Sequence, residues 1–488
     1  MTMRILLIVP RSNFPDVTPR WLRIPQLTLP ILTGLTPPEH EVLMVEEEFE
    51  ELPLNDHWDV VGITAMTANA LRAYDLASLY RRHGARVILG GIHPSVLPDE
   101  AAQFADAVVV GEAEGVWQQL LYDVQLNQLR KFYHNSQPDL SDSPLPVRPK
   151  RRSILELPAL IIPIMASRGC PYDCEFCCVH KVYGRRQRHI PIENIVEDIR
   201  RTGSRHIMFL DDNVGGERFF TMQLIAAMKP LKVHWYAQVP ARFILDDELF
   251  DAAVRSGLEA VFVGIESIEL EANKRMHKSL PSIESYGKAI ERCRSAGVIF
   301  HASLIFGLDE ETPDIFERTL EFLLHNSVPS ISPCILTPYP GTPLFERLMG
   351  ERRILHTNWS YYDHTTVCYQ PKNMEPEELA EKYLDFRKRF FSWASIIQRG
   401  YAQWRVAPLI YFGSNLAYRK TTEFMKGHLK NYFKWLRRQK RVPTPERIYS
   451  TNGLNDHRPL FHVVDDLHER TSIAVIGSVE VKELDKVT

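Results

Sequence analysis

The sequence predicts an α/β protein in three parts: a doubly wound parallel sheet, a partial, open β/α barrel of six units, and a helical C-terminal region. Three observations carry this. Residues 3–125 alternate five continuous apolar runs with helical patterns, as expected of parallel strands covered on both faces. A second series of six strand units starts at 159, fewer than the eight of a closed barrel. Residues 375–441 then read as helix, with aromatics and cations interleaved.

In order, "RILLIVP" (4–10), "EVLMVEE" (41–47), "VVGITAM" (60–66), "RVILGG" (86–91) and "AVVVGE" (107–112) are the strands of the first part. Helical stretches lie between them, such as "NALRAYDLASLYRRHG", which stops on Gly84 as a helix C-terminus does. The rhythm is flavodoxin-like and spans 1–125, and ligands of such a sheet sit at the carboxyl ends of its strands. Residues 126–158, rich in proline and charge, read as a linker. The barrel, 159–345, has strands at 159–167, 206–211, 233–239, 260–266, 299–306 and 330–337. Its helices fall at roughly 191–202, 218–229, 246–256, 282–296 and 313–326. Residues 346–441 form a helical cap, and 442–488 a loosely ordered tail.

The chain has 488 residues, 44% hydrophobic and 24% charged, with a formal net charge of −3. That balance gives no whole-molecule case for nucleic-acid binding, and no recognition motif accompanies the C-terminal cations. No window approaches the roughly 18 apolar residues of a membrane span. The opening apolar run ends at Pro10 without a cleavage site, so it reads as a strand, not a signal peptide. Seven cysteines, four of them within 170–178, are not a disulfide framework. A reducing cytoplasm, and a metal or redox site, are expected.

Cys170, Cys174 and Cys177 form C-x3-C-x2-C directly after an apolar strand. Thiolates ligate iron–sulfur clusters, and three in one tight loop leave one iron of a [4Fe–4S] cluster open to a small molecule. Cys178 points away from its neighbour. A zinc site or buried thiols are the other readings, but zinc usually wants a second ligand pair, and only His180 is near.

With Phe176 as its aromatic, this loop resembles the signature of radical S-adenosylmethionine (SAM) enzymes. The resemblance implies a [4Fe–4S] cluster whose open iron binds SAM and, when reduced, cleaves it to a 5′-deoxyadenosyl radical. "FLDDN" (209–213) resembles the stretch that holds the methionyl amino group, through Asp211 and Asp212. "GIES" matches the motif contacting ribose and carboxylate, through Gly264, Glu266 and Ser267. "SLIFGLDE" aligns beside adenine, through Ile305, Gly307 and Glu310, with Ser303 where the family has glycine. "PYPGTPL" (338–344) resembles the end of the sixth strand, and Arg242 is a candidate carboxylate partner by charge alone, a surface cation being the alternative.

The first domain resembles the cobalamin-binding domain that precedes the barrel in one branch of this superfamily, through "GGIHPSVLPDEA" (90–101) and "VVVGEAEGVW" (108–117). Cobalamin would then rest on Gly90, Gly91 and Gly111, where no Cβ blocks a flat ligand. Thr64, Met66, His93 and Glu112 belong to the same edge. The D-x-H-x-x-G motif is absent, so cobalamin is expected without a histidine below cobalt; a sheet that merely scaffolds the barrel is the alternative.

Together these resemblances imply a cobalamin-dependent radical SAM methyltransferase acting on an unactivated carbon, closest to the hopanoid methylase and anaerobic tetrapyrrole cyclase branch. The expected substrate is a small apolar molecule, lipid-like or tetrapyrrole. Cyclisation, rearrangement or anaerobic oxygenation, and a non-catalytic cobalamin or redox sensor, are the alternatives. No catalytic side chain is singled out. The expected partner is an electron donor such as flavodoxin or ferredoxin. From Arg399 to Arg441 eleven Lys and Arg face one acid, Glu423. This stripe either caps the barrel or also contacts the inner face of a membrane.

Overall fold

The first strands of the chain appear as their apolar runs predict. The protein is described by a computed structural model covering residues 2–14, 23–135, 137–149, 161–278, 282–403 and 408–439. Strands β1 (Arg4–Val9), β2 (Glu41–Glu46), β3 (Val60–Thr64), β4 (Arg86–Gly90) and β5 (Ala107–Gly111) are parallel, in the order β2-β1-β3-β4-β5. A sixth strand, β6 (Phe132–Asn135), pairs parallel to β5. It lies inside the stretch read as linker: "FYHN" is half polar, as suits an edge strand with one paired side. The rest of that stretch from 150, and the tail 442–488, fall outside the described residues.

Alternation along the strands divides the core. Ile5, Leu7, Val60, Ile88 and Val109 face the helices Thr28–Leu35 and Trp117–Gln125. Leu6, Ile8, Val61, Ile63, Val87 and Leu89 belong to the larger core that runs on into the barrel.

That barrel starts with β7 (Ile162–Ile164), and the short pair β8 (Ser167–Arg168) and β9 (Arg188–His189) brackets the cysteine loop. Then follow β10 (His206–Phe209), β11 (His234–Gln238), β12 (Leu258–Glu266), β13 (Ile299–Phe306) and β14 (Ser330–Ile335). Its six strands are sequential and parallel, β7-β10-β11-β12-β13-β14, with β7 and β14 unpaired to one another. The sheet is the open barrel the sequence predicts. Phe209, Trp235, Val261, Phe300 and Phe306 face the outer helices, while Met208, Tyr236, Ala260 and Phe262 line the concave side.

The C-terminal region departs from its helical reading between 351 and 375. Here the chain is a strap with one short turn, Trp359–Tyr361, and an isolated antiparallel bridge between Ile354 and Tyr369. The strap is tied to the barrel rim: Ile335 N donates to His364 O at 2.8 Å, and Tyr369 hydroxyl donates to Gly307 O. Helices Pro376–Phe390, Trp393–Gln403 and Pro408–Leu436 follow. Tyr418 of the last one reaches Ser332 on β14, which also meets His301 at 2.7 Å.

The basic stripe is only partly a solvated face. Arg399 is 1% exposed and donates to Val328 O, Pro329 O, Phe390 O and Asn415 Oδ1. Arg387 is likewise buried, against Thr422 and Tyr383. These guanidiniums spend their donors on backbone carbonyls and side-chain oxygens that packing brings to them.

Candidate functional site

The cysteine loop leaves β8 through Gly169, at φ +90°, where a Cβ would meet Arg186 O at 2.5 Å. It is anchored on both flanks. Arg168 pairs with Glu112 and Glu114 of the first domain, each at 2.6 Å, and Arg188 joins Glu112 at 2.6 Å. Glu175, inside the motif, holds Arg347 at 2.6 Å; Arg347 and Arg353 share Asp309 at 2.8 and 2.6 Å. Its backbone is also tied, Glu175 N to Met276 O and Leu344 N to Glu175 O.

Cys170, Cys174 and Cys177 are free thiols in this loop, each partly exposed. Burial pushes all three thiols up, so they need a bonded cation to be thiolates at neutral pH. Among the described residues no three His, Cys, Asp or Glu side chains converge on one ion-sized point. Cys178 begins the short helix Val179–Val182 and lies near Tyr339.

Around this triad the residues expected to hold SAM divide. Asp212 is raised to about 6, by burial against the pull of Arg168, and has no hydrogen-bond partner among the described residues. Its neighbour Asn213 is 4% exposed, with an unpartnered Oδ1. A carboxylate and an amide oxygen left open beside Cys170 fit an ammonium group. Asp211 does not join them. It accepts from Ala166 N and Ser167 Oγ, and burial raises it to about 7, so it braces the strand that enters the loop. Arg242 is well placed, 5.5 Å over the Tyr172 ring of the cysteine motif.

Gly264 and Glu266 sit at a register shift in β12. Glu266 is held at φ +60°, a strained conformation for a non-glycine residue, by an ion pair with Lys278. Lys278 also donates to Gly264 O at 2.8 Å. This lysine, in a loop without periodic pattern, escaped the sequence reading. Ser267 donates to Glu311 at 2.6 Å, and Glu311 accepts from Gly307 N and Leu308 N. So Glu311, 1% exposed, ties β12 to β13, while Glu310 pairs with Arg275 at the surface. Ser303 and Ile305 alternate with core residues on β13, opposite Ser332 and Cys334.

The second half of the site is a cleft of about 450 Å³ at the carboxyl ends of β1, β3, β4 and β5. Thr64, Met66, Gly90, Gly91, Gly111 and Glu112 all line it. Gly91 is glycine for an internal reason: at φ +96° its Cβ would meet Thr64 Oγ1 at 2.7 Å and Ala65 N at 2.8 Å. Gly90 has no such neighbour, only Val109 Cβ at 3.7 Å, so its bare face is free for a flat ligand. The opposite wall is Met165, Arg168, Tyr183 and Leu210 of the barrel.

His93 is turned away from this cleft. It is fully buried, 3.3 Å from Thr67 Oγ1 and from Glu100, with its ring 5.5 Å from Trp359. Glu100 also accepts from Tyr74 hydroxyl and Trp359 Nε1, at 2.9 and 3.0 Å. The apolar surroundings and the carboxylate claim the imidazole for the joint between first domain and strap. No histidine is among the described lining residues of the cleft.

Known proteins resemble the chain in sequence and in fold. The Radical SAM superfamily model matches residues 164–323, and a B12-binding domain model matches residues 31–121. A bacteriochlorophyllide d C-12(1)-methyltransferase of Chlorobaculum tepidum is 29% identical over 411 residues, covering 81% of this chain and 88% of that protein. A hopanoid C-2 methylase of Rhodopseudomonas palustris is 26% identical over 384 residues, covering 72% of this chain and 71% of that protein. A radical S-adenosylmethionine methyltransferase from Kitasatospora setae, solved with cobalamin and a [4Fe–4S] cluster, has a TM-score of 0.60 at 16% identity. It covers 72% of this chain and 75% of that one, and the two share the fold. The radical SAM match implies the [4Fe–4S] cluster and SAM, and the B12 match cobalamin.

Proposed function

Because the chain belongs to the radical SAM enzymes that carry a B12-binding domain, we propose that it is a C-methyltransferase of an unactivated carbon in an apolar, polycyclic small molecule. When bound, the cluster and SAM supply a hydrogen-abstracting radical, and cobalamin carries the methyl group. One observation carries the reading: Met165, Arg168, Tyr183 and Leu210 of the cysteine-bearing domain form one wall of the first domain's cleft. The cleft of the first domain thus lies against the barrel that carries the cysteine loop.

The chain's own residues then have separable work. Cys170, Cys174 and Cys177 hold the cluster. Asp212 and Asn213 would accept from the SAM ammonium, and Arg242 would face its carboxylate. The Arg168–Glu112 pair sets the separation of the two cofactors, because it links the residue two before Cys170 to the exit of β5. Reduction requires an electron donor of the flavodoxin or ferredoxin class.

Membrane contact, where the substrate resides in a bilayer, falls to exposed side chains just before and early in the basic run rather than to the aromatics near its end. Tyr432 is fully buried and Phe433 nearly so. Trp393, Ile397, Phe412 and Leu416 are exposed instead, with Arg419 5.3 Å over the Trp393 ring, a mixture suited to headgroups. No helix among the described residues is long and apolar enough to cross a membrane.

The test is anaerobic incubation of reconstituted enzyme with methyl-labelled SAM, reductant and an extract of apolar metabolites. The reading predicts a product heavier by one methylene and carrying the label. A product without label, formed while SAM is cleaved, would contradict it and favour cyclisation or rearrangement.

A further inference from the structure

At the barrel rim, between the cysteine loop and the first domain, sits a polar pair that none of these roles uses. Tyr339, in the turn after β14, lies within electrostatic reach of Cys178 and Cys334. Two residues on, Gly341 packs so closely on the first domain that a Cβ would meet Val96 at 2.9 Å. His364 of the strap lies with its ring 5.3 Å from Tyr339, and their polar atoms are 2.8 Å apart. The imidazole is therefore held where cluster loop, last barrel strand and first domain converge.

His364 is fixed there at a cost. Its φ is +66°, a left-handed conformation for a non-glycine residue, and its surroundings over-determine it. Ile335 N donates to His364 O at 2.8 Å, and Asp363 Oδ1 accepts from Thr365 N, Thr365 Oγ1 and Thr366 N. The other oxygen of Asp363 faces His428 of the last helix at 3.4 Å. Backbone strain held this firmly points to a positioned side chain.

The hydrogen bonds also fix the tautomer. Tyr362 O lies 3.2 Å from the Tyr339 hydroxyl and, as a carbonyl, can only accept. Tyr339 has one proton, so both contacts are made only when it goes to Tyr362 O and His364 Nε2–H donates to the phenol oxygen. Nδ1 then carries the lone pair. It has no partner among the described residues, and His364 is exposed although Tyr362 and 366–369 are buried. Desolvation lowers this imidazole below its ordinary range, which favours the neutral ring.

Methyl transfer gives that lone pair no proton to take. Two SAM and two electrons convert C–H to C–CH3: the hydrogen atom leaves in 5′-deoxyadenosine, the sulfur products are methionine and S-adenosylhomocysteine, and charges balance. A hydrocarbon polycycle would offer the imidazole nothing. A neutral imidazole nitrogen is, however, a strong ligand for a divalent metal with an open position. We infer that His364 Nδ1 binds the central metal of a metallated tetrapyrrole substrate, with Tyr339 holding the ring in the ligating tautomer. The inference rests on the methyltransferase reading and narrows its substrate class.

The test is spectroscopic and needs no turnover. Reconstituted holoenzyme is titrated with zinc protoporphyrin IX and with metal-free protoporphyrin IX. The zinc probe should show the red-shifted Soret band of an added axial nitrogen. His364→Asn, chosen because asparagine tolerates left-handed backbone, should lose the shift and bind the zinc probe at least about tenfold more weakly. The metal-free probe should bind both proteins alike. His364→Gly should regain the shift on adding imidazole, and Tyr339→Phe should weaken it. An unchanged band in His364→Asn, or no preference for the zinc probe over the metal-free one, would overturn the inference. The methyltransferase reading fails separately: axial ligation with no labelled methyl in any product would contradict that reading and leave His364 as a ligand.

Discussion

Two of the joints between the first domain and the rest of the molecule are built on opposite principles. At the cysteine loop, Glu112 and Glu114 meet Arg168 and Arg188, two buried charges of each sign. At the strap, Glu100 alone collects donors from Tyr74, Trp359 and His93. The ionic joint fixes one geometry, because each fork of a guanidinium must find its carboxylate. The strap joint relies on ring packing around one carboxylate. The stiffer joint thus lies between the two cofactor sites, and the softer one holds the strap that carries His364.

The largest effect should come from breaking the ionic joint. Arg168→Met leaves Glu112 and Glu114 short of a buried partner, at about 3–5 kcal/mol. Thermal unfolding and the iron and cobalamin content of reconstituted protein should both fall, and adding Glu112→Gln should restore part of the stability. At the strap, Glu100→Ala leaves the Trp359 and Tyr74 donors unmet and should cost about 1–3 kcal/mol. Here hydrogen exchange across 355–369 should rise while iron content stays at the wild-type level.

A third carboxylate sharpens the contrast by titration. Glu114 is pushed up by burial but held below its ordinary range by Arg168 beside it. Glu311 has only neutral donors, and burial raises it to about 7. An acid raised in the folded state binds more protons folded than unfolded, so stability falls as pH rises between its unfolded value and about 7. Wild type should lose melting temperature from pH 5.5 to 7.5 more steeply than Glu311→Gln. The smallest effect is expected at Cys178, which belongs to neither joint. Cys178→Ala should keep the full iron content; loss of iron would reassign the three ligands.

What was legible in the sequence was local. Buried parallel strands are continuous apolar runs, so eleven of them could be read directly, and the cysteine spacing lies within eight residues of chain. The missed features are products of long-range pairing. β6 is too polar to stand out until β5 is beside it. Glu311 rather than Glu310 turns inward because β13 ends at Phe306 and Gly307 N needs an acceptor. His93 and Asp211 look like ligands in isolation, but Trp359 and Ala166, distant in sequence, claim them. Arg387 and Arg399 read as surface charge until barrel carbonyls and cap hydroxyls are brought to them.

The central claim is that the cleft of the first domain delivers a methyl group to chemistry begun at the cysteine loop. It is tested most directly by product stoichiometry in single turnovers with and without cobalamin. The account predicts one S-adenosylhomocysteine and one 5′-deoxyadenosine for each labelled methyl in product. Without cobalamin, methylation and S-adenosylhomocysteine should vanish while reductive cleavage of SAM persists. Methylation undiminished in the absence of cobalamin would contradict the account.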